Sequence, residues 1–247
     1  MLSFLIALAG SVEAEPLASG STFLSEAVRA QQADEAANPG MLWVDEGAEL
    51  WAQTVAEPGQ SCAACHGEAS DTMRGVATRY PAVDAVSGAL LNLEGRINTC
   101  RREHQALPPL AYESDELLSL TAFVAYQSRG LAMQVETTGA AAPFHAAGRA
   151  FFHRRQGQLN LSCAHCHVRH AGRRMRGDII SHGLGNGYPI YRLEWQTLGS
   201  LHRRLRLCSA SVRAVQFASG GPEYLALELY LAGRARDVAI ETPAIRR

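Results

Sequence analysis

Two stretches of this chain, Cys62-Ala-Ala-Cys65-His66 and Cys163-Ala-His-Cys166-His167, set two thiols three residues apart with a histidine directly after the second. At helical spacing, residues three apart share a face. Both thiols can then form thioethers with the vinyl groups of one porphyrin while the histidine reaches its iron, the attachment signature of a c-type haem. A lone Cys-x-x-Cys would also suit a redox pair or half of a zinc site, but a four-cysteine zinc site needs no histidine after either half. The two remaining cysteines, Cys100 and Cys208, each stand four residues after an arginine, Arg96 and Arg204. The six cysteines thus divide into four attachment thiols (Cys62, Cys65, Cys163, Cys166), predicting two covalently bound haem c groups, and two spare thiols.

With His66 and His167 as proximal iron ligands, the distal positions must be filled. Electron-carrying cytochromes c use a late methionine there. Here Met73 and Met175 follow their motifs closely, Met133 lies beyond the first half, and none stands on the usual late loop. His104, His182 and His202 are histidine candidates, but none repeats at an equivalent position, whereas Cys100 and Cys208 do. The two cysteines are therefore expected as distal ligands, with a mutual disulfide as the alternative in an oxidising compartment. Thiolate ligation lowers a haem potential and makes a poor general-purpose carrier. An arginine within ~6 Å of such a thiol, at an effective dielectric of ~20, attracts the thiolate by ~3 kcal/mol. That would pull a pKa of ~8.5 below neutrality. The same arithmetic covers Arg96 with Cys100 and Arg204 with Cys208.

The elements that must hold these groups occur twice. Gly47-Ala-Glu-Leu-Trp51 precedes Cys62 by the spacing at which Gly148-Arg-Ala-Phe-Phe152 precedes Cys163. Arg96-Ile-Asn-Thr-Cys100 matches Arg204-Leu-Arg-Leu-Cys208, and each is followed by an amphipathic stretch, from Glu116 and from Glu223. Apolar residues recur there at three- and four-residue steps, as a core-facing helix requires. The pattern predicts an all-α chain of two tandem cytochrome c-like domains related by internal duplication. The expected limits are a signal peptide over 1–14, an arm over 15–40, domain 1 over 41–130, a linker rich in small and breaker residues over 131–143, and domain 2 over 144–247. The short apolar start ending in Val12-Glu13-Ala14 predicts export to the periplasm, and no stretch is long enough for a membrane span.

A net charge of −1 conceals a division. Residues 1–142 hold 18 acids and 7 arginines, whereas residues 143–247 hold 6 acids and 16 arginines, with no lysine anywhere. Ten of those arginines (154, 155, 169, 173, 174, 176, 203, 204, 206 and 213) gather around the second haem motif and Cys208. Such a surround concentrates anions, and arginine's planar fork favours oxyanions. Nucleic acid is the wrong anion for an exported haem protein; a small oxyanion or an acidic partner suits better. Cys208, in the basic half, is the thiol expected to meet it.

Together with Tyr112-Glu-Ser-Asp-Glu-Leu-Leu, Gln158-Leu-Asn-Leu-Ser-Cys163, Gly187-Tyr-Pro-Ile-Tyr-Arg-Leu193 and Leu225-Ala-Leu-Glu-Leu-Tyr, these motifs make most of residues 40–240 resemble the SoxA family, the catalytic subunits of the SoxAX cytochromes of bacterial sulfur oxidation. The likeness is to the dihaem form. It implies haem 1 on Cys62 and Cys65 with His66 and Cys100 axial, and haem 2 on Cys163 and Cys166 with His167 and Cys208 axial. It further implies L-cysteine S-thiosulfotransferase activity: Cys208, which can carry an extra sulfur as a persulfide, is catalytic, and Arg204 binds thiosulfate. The partners implied are a monohaem SoxX-type cytochrome that takes the electrons and a SoxYZ-type carrier whose cysteine receives the product. A plain dihaem electron carrier, a tetrathionate-forming thiosulfate dehydrogenase and, most remotely, a dihaem peroxidase are the rival readings.

Overall fold

The computed structural model describes residues 17–54 and 60–247, so the expected signal peptide lies outside the described residues. Among the described residues nine α-helices run in order: α1 Glu26–Ala33, α2 Met41–Ala52, α3 Cys62–His66, α4 Ala69–Thr72, α5 Leu93–His104, α6 Asp115–Tyr126, α7 Ala142–His153, α8 Leu201–Ser211 and α9 Pro222–Arg234. Side-chain oxygens cap the helices that carry the site. Ser61 accepts the Ala64 N–H, Asn92 the Gly95 N–H, and Ser200 the Arg203 N–H. Each satisfies a donor that the first helical turn leaves orphaned. Among the described residues no helix is long and apolar enough to cross a membrane.

Two helix pairs dominate, α2 with α6 and α7 with α9. Both crossings need a glycine. A Cβ on Gly47 would lie 2.2 Å from the Ser119 carbonyl oxygen, and one on Gly148 only 1.9 Å from that of Ala226. The glycines noticed as repeat markers are thus where two backbones touch.

The all-α expectation omitted some strands. β1 Ala82–Val83 pairs with β2 Leu90–Leu91, and β3 Arg174–Met175 pairs with β4 Asp178–Ile179. A three-stranded sheet sets β5 Ile190–Arg192 between antiparallel β6 Thr197–Gly199 and parallel β7 Ala244–Arg246. Runs of two or three residues are too short for the period-2 alternation that announces a strand. The sheet matters because it joins the halves. Tyr191 and Leu198 from it pack with Val44, Leu118 and Ala122 of α2 and α6. Residues 131–143 are likewise no exposed tether: Met133, Val135 and Ala141 are buried with Leu90 of β2 and Leu229 of α9. The arm before α2 packs on β7, where Gln32 accepts hydrogen bonds from the Ile245 N–H and from Arg246.

Buried charge sits where α5, α8 and α9 converge. His202 is 1% exposed, and its Nε2 lies 2.9 Å from Glu228 Oε2, a charge contact set off the N–H axis. Its Nδ1 accepts the Gly220 N–H, and Asn92 donates to the same Glu228 oxygen at 3.2 Å. Glu94 is also buried and shares with Glu228 the wall of a cavity of about 60 Å³. Burial and the Glu228 charge push the Glu94 carboxyl up to about 7, against the pull of His202. His202 is itself raised, burial being outweighed by Glu228. The native state therefore holds protons here that the unfolded chain releases, and stability falls as pH rises from ~4.5 towards ~7. Replacing Glu94 with Gln removes that loss. In denaturant titrations E94Q is expected to exceed the parent by on the order of 3 kcal/mol near pH ~8 and to match it near pH ~5. Parallel pH profiles would refute the assignment.

Candidate functional site

Helix α8 starts at the Ser200 cap and carries Arg204 and Cys208 one turn apart, hence on one face. That face meets the second haem motif. Cys208 lies against His167, and its charge is felt by both Cys163 and Cys166. The motif is helical at Cys163 and widens to a π turn over His165–Arg169. His167 Nδ1 lies 2.8 Å from the Ser181 carbonyl oxygen, which leaves Nε2 for the other side of the ring. All five predicted residues of this site, Cys163, Cys166, His167, Cys208 and Arg204, are brought together.

The first motif is placed differently. Helix α3 holds Cys62, Cys65 and His66, and α5 carries Arg96 and Cys100. Cys100 acts electrostatically on Cys62 and is acted on by Cys65. His66 is exposed and rests against Trp51, ring centroids 5.6 Å apart. All six cysteines are unpaired, so the alternative Cys100–Cys208 disulfide is not formed. The histidine candidates are engaged elsewhere: His104 ends α5 exposed, His182 meets the N-terminal arm, and His202 belongs to the buried ion pair. Met133 is core, Met73 packs beside Trp51 and Ala69, and Met175 is exposed on β3.

Thiol acidity separates the two spare cysteines, which the arginine arithmetic could not do. Burial raises Cys100 despite Arg96. Arg96 is turned to Asp84 at 2.5 Å and to the Tyr80 hydroxyl at 3.2 Å, so much of its charge is already neutralised. Cys62 and Cys166 are also raised by burial, and Cys163 is pushed up to about 11. Cys208 moves the other way. Burial opposes its ionisation, but the contact with His167 and the charges of Arg204 and Arg192 outweigh it. Arg204 is raised in turn, chiefly by Cys208.

The donors fit a haem at each motif. Two thiols and a histidine on one turn, with a second thiol brought to them from another helix, form a thioether-plus-axial set. At the first motif Cys62 opens on a cavity of about 150 Å³ lined in part by Leu50, Leu110 and Leu120, where Gln105 Oε1 is buried without a partner. At the second, Val168 and Leu207 stand exposed beside His167 and Cys208, apolar surface of the kind a porphyrin face covers.

Comparison with known proteins agrees. A family model described as SoxA/TsdA, cytochrome c domain, matches residues 46–133. The L-cysteine S-thiosulfotransferase subunit SoxA of Rhodovulum sulfidophilum is 36% identical over 232 residues, spanning 94% of this chain and 81% of that one. The same subunit from Paracoccus pantotrophus is 35% identical over 228 residues, 92% of this chain and 78% of its own. The chain belongs to the SoxA family. The crystal structure of SoxXA from P. pantotrophus superposes with a TM-score of 0.90 at 34% identity, covering 94% of this chain and 87% of that chain.

Within this SoxA framework the structure adds residues that spacing alone did not single out. Arg192 closes β5, is 5% exposed, and has a buried Nε without a partner while its Nη2 donates to Glu194 at 2.6 Å. Tyr188 is surrounded by Arg204, Cys208, Arg246 and Arg192, and burial raises its phenol. Both lie in Gly187-Tyr-Pro-Ile-Tyr-Arg-Leu193, a segment marked in the sequence with no role attached. The signal was there; the side-chain partners were not. This paired guanidinium field makes a measurable difference at the sulfur. In the holoprotein, Cys208 is expected to be alkylated faster by anionic iodoacetate, relative to neutral iodoacetamide, than a free thiol is. Arg204→Met should cut that ratio about tenfold, the equivalent of ~1.4 kcal/mol. Peptide mapping reads it out, and a ratio unchanged in the variant would exclude an electrostatic role for Arg204.

Proposed function

We propose that this chain is the haem-bearing catalytic subunit of an L-cysteine S-thiosulfotransferase, coupling thiosulfate to a cysteine of a SoxYZ-type carrier protein. The observation that carries the reading is the setting of Cys208: of the thiols whose acidity shifts, it alone is lowered, between His167 and the guanidinium groups of Arg204 and Arg192. A sulfur nucleophile at neutral pH needs this kind of surround. The relatives named above carry that activity in their names.

In the proposed scheme two haem c groups would be held, one by Cys62, Cys65, His66 and Cys100, the other by Cys163, Cys166, His167 and Cys208. A bound haem supplies a one-electron acceptor beside the thiol, with a SoxX-type monohaem cytochrome as the outlet. The chain's own residues do the rest. Exposed arginines of the second half, among them Arg154, Arg155, Arg169 and Arg173, draw the dianion in. Arg204 and Arg192 hold its sulfonate end, for which the free Nε of Arg192 is a ready donor. The sulfane sulfur of thiosulfate joins the sulfur on Cys208, two electrons being released as the S–S bond forms. The carrier thiolate then attacks that bond, leaves with the thiosulfonate, and returns Cys208 as the leaving thiolate.

The organisation we attach to this scheme is two cytochrome c-like domains, residues 41–130 and 144–247, joined through 131–143 and derived by duplication. The Gly47 and Gly148 crossings support it, being the same contact made twice. An arm over 15–40 and periplasmic export by a signal peptide over 1–14 complete it.

Intact-mass measurement on periplasmic protein tests the scheme. Two haem masses are expected, with a sulfur adduct that increases on exposure to thiosulfate and is lost in Cys208→Ala. Arg192→Met should raise the KM for thiosulfate about tenfold with kcat largely kept, as loss of uniform binding does. An unchanged mass, with full activity in Cys208→Ala, would leave a dihaem electron carrier. Release of free tetrathionate without any carrier protein would mark a thiosulfate dehydrogenase.

A further inference from the structure

The ring of His167 is held from one short segment, Ser181-His182-Gly183, whose alternate residues face opposite ways. Ser181 supplies the carbonyl oxygen 2.8 Å from His167 Nδ1. Its hydroxyl also accepts the Gly183 N–H at 3.2 Å, closing the segment into a tight turn. Gly183 has φ +68, and a Cβ there would lie 2.7 Å from His167 Cγ and 2.9 Å from its Nδ1. Only a glycine lets the backbone lie flat against the imidazole while keeping that conformation.

His182, between them, points to the N-terminal arm. Its Nδ1 accepts the Ala18 N–H at 3.0 Å, and Phe23 meets the ring edge-on with centroids 5.3 Å apart. The arm is fastened between and after these contacts. Asn186 donates to the Ser19 hydroxyl at 3.0 Å, the Ser21 hydroxyl donates to Glu241 at 2.5 Å, and Gln32 anchors α1 on β7. A chain of direct contacts therefore runs from Ala18 and Phe23, through His182, to the carbonyl and the glycine that set His167.

We propose that the N-terminal arm and the Ser181-His182-Gly183 turn form a strap that positions His167 and tunes its donor strength, making Gly183 and Ala18 positioning residues for the second haem site. The inference rests on the reading of His167 as an axial ligand given above. Its physical basis is general. A carbonyl that takes the Nδ1 proton fixes the tautomer and ring plane of a ligating histidine and makes the imidazole a stronger donor. Axial-ligand character then sets the potential. The first site has no such device: among the described residues His66 makes no hydrogen bond and leans on Trp51. The arm should therefore act on one haem and spare the other, which gives every experiment an internal control.

The test uses the purified holoprotein with both haems, followed by redox titration and low-temperature electron paramagnetic resonance of the two low-spin signals. Gly183→Ala pushes a methyl group at the ring. Ala18→Pro removes the donor to His182 at a half-buried position of the arm, away from the His167 ring. Gly183→Ala is expected to shift the reduced-to-oxidised ratio of haem 2, at a fixed potential, on the order of tenfold, with a change in its g-values. Ala18→Pro should give a smaller shift in the same signal. The haem 1 signal and the thermal melting midpoint of Ala18→Pro should stay where they are. If neither variant moves the haem 2 signal, or if both haems move together, the strap is refuted. Should Gly183→Ala fail to fold, Ala18→Pro alone decides. His167→Ala checks the underlying reading separately: an unaltered haem 2 signal in that variant would remove His167 from the iron, whatever the strap variants do.

Discussion

A buried sulfur whose ionisation is favoured inside the protein is the constraint around which this chain is arranged. Leaving a charge unpaired below the surface costs several kcal/mol, so it persists only where opposite charge and hydrogen bonds are fixed beside it. For Cys208 that role falls to His167, Arg204 and Arg192, which come from three separate elements: the second motif, α8 and β5. Bringing these together requires the sheet to lie against α2 and α6, and α8 to begin at the Ser200 cap. Much of the architecture can be understood as the means of closing that one electrostatic set.

The contrast with Cys100 shows how little the local sequence decides by itself. Both cysteines follow an arginine by one helical turn, yet Arg96 is turned to Asp84 and Tyr80 while Arg204 is left to its thiol. Counter-charges for Arg204 also exist, Glu194 and Asp178 among them, but Glu194 is bound to Arg192 and both acids are largely exposed. An acidic first half and a basic second half thus translate into two thiols of opposite character. A thiol made more acidic at one site and one made less acidic at the other follows from who else is near each arginine.

The two Cys-x-x-Cys-His turns, the repeated segments that contain Gly47 and Gly148 and the pairing of Cys208 with the second motif were legible before any coordinates, because each is signalled by residue type at fixed spacing. The sheet β5–β7 was not, since strands of three residues leave no periodic trace and β7 is brought in from the far end of the chain. The arm was read as an appendage ahead of the first domain, whereas Gln32 and Asn38 bind the terminal segment through Ile245 and Pro243. Such contacts depend on meetings between residues some two hundred positions apart, for which a single sequence has no code. His202 is the sharpest case. Weighed as a candidate ligand, it proves to be a buried imidazole held against Glu228, because the acid that occupies it lies on α9.

That buried pair carries the synthesis one step further. Glu94 and His202 stand six residues before Cys100 and Cys208, and their N-caps, Asn92 and Ser200, stand eight before. Equivalent positions in two halves are thus brought to one junction, where α5 and α8 begin. Two copies of either residue would place like charges, or two uncharged bases, in a site walled off from water. An acid on one helix and a base on the other can instead sit together beside Glu228. Asn92 serves both roles at once, capping α5 through Gly95 and donating to Glu228 across the junction. The difference between these positions is what allows the two cysteine-bearing helices to be locked in register, and that register sets where each cysteine arrives at its own motif.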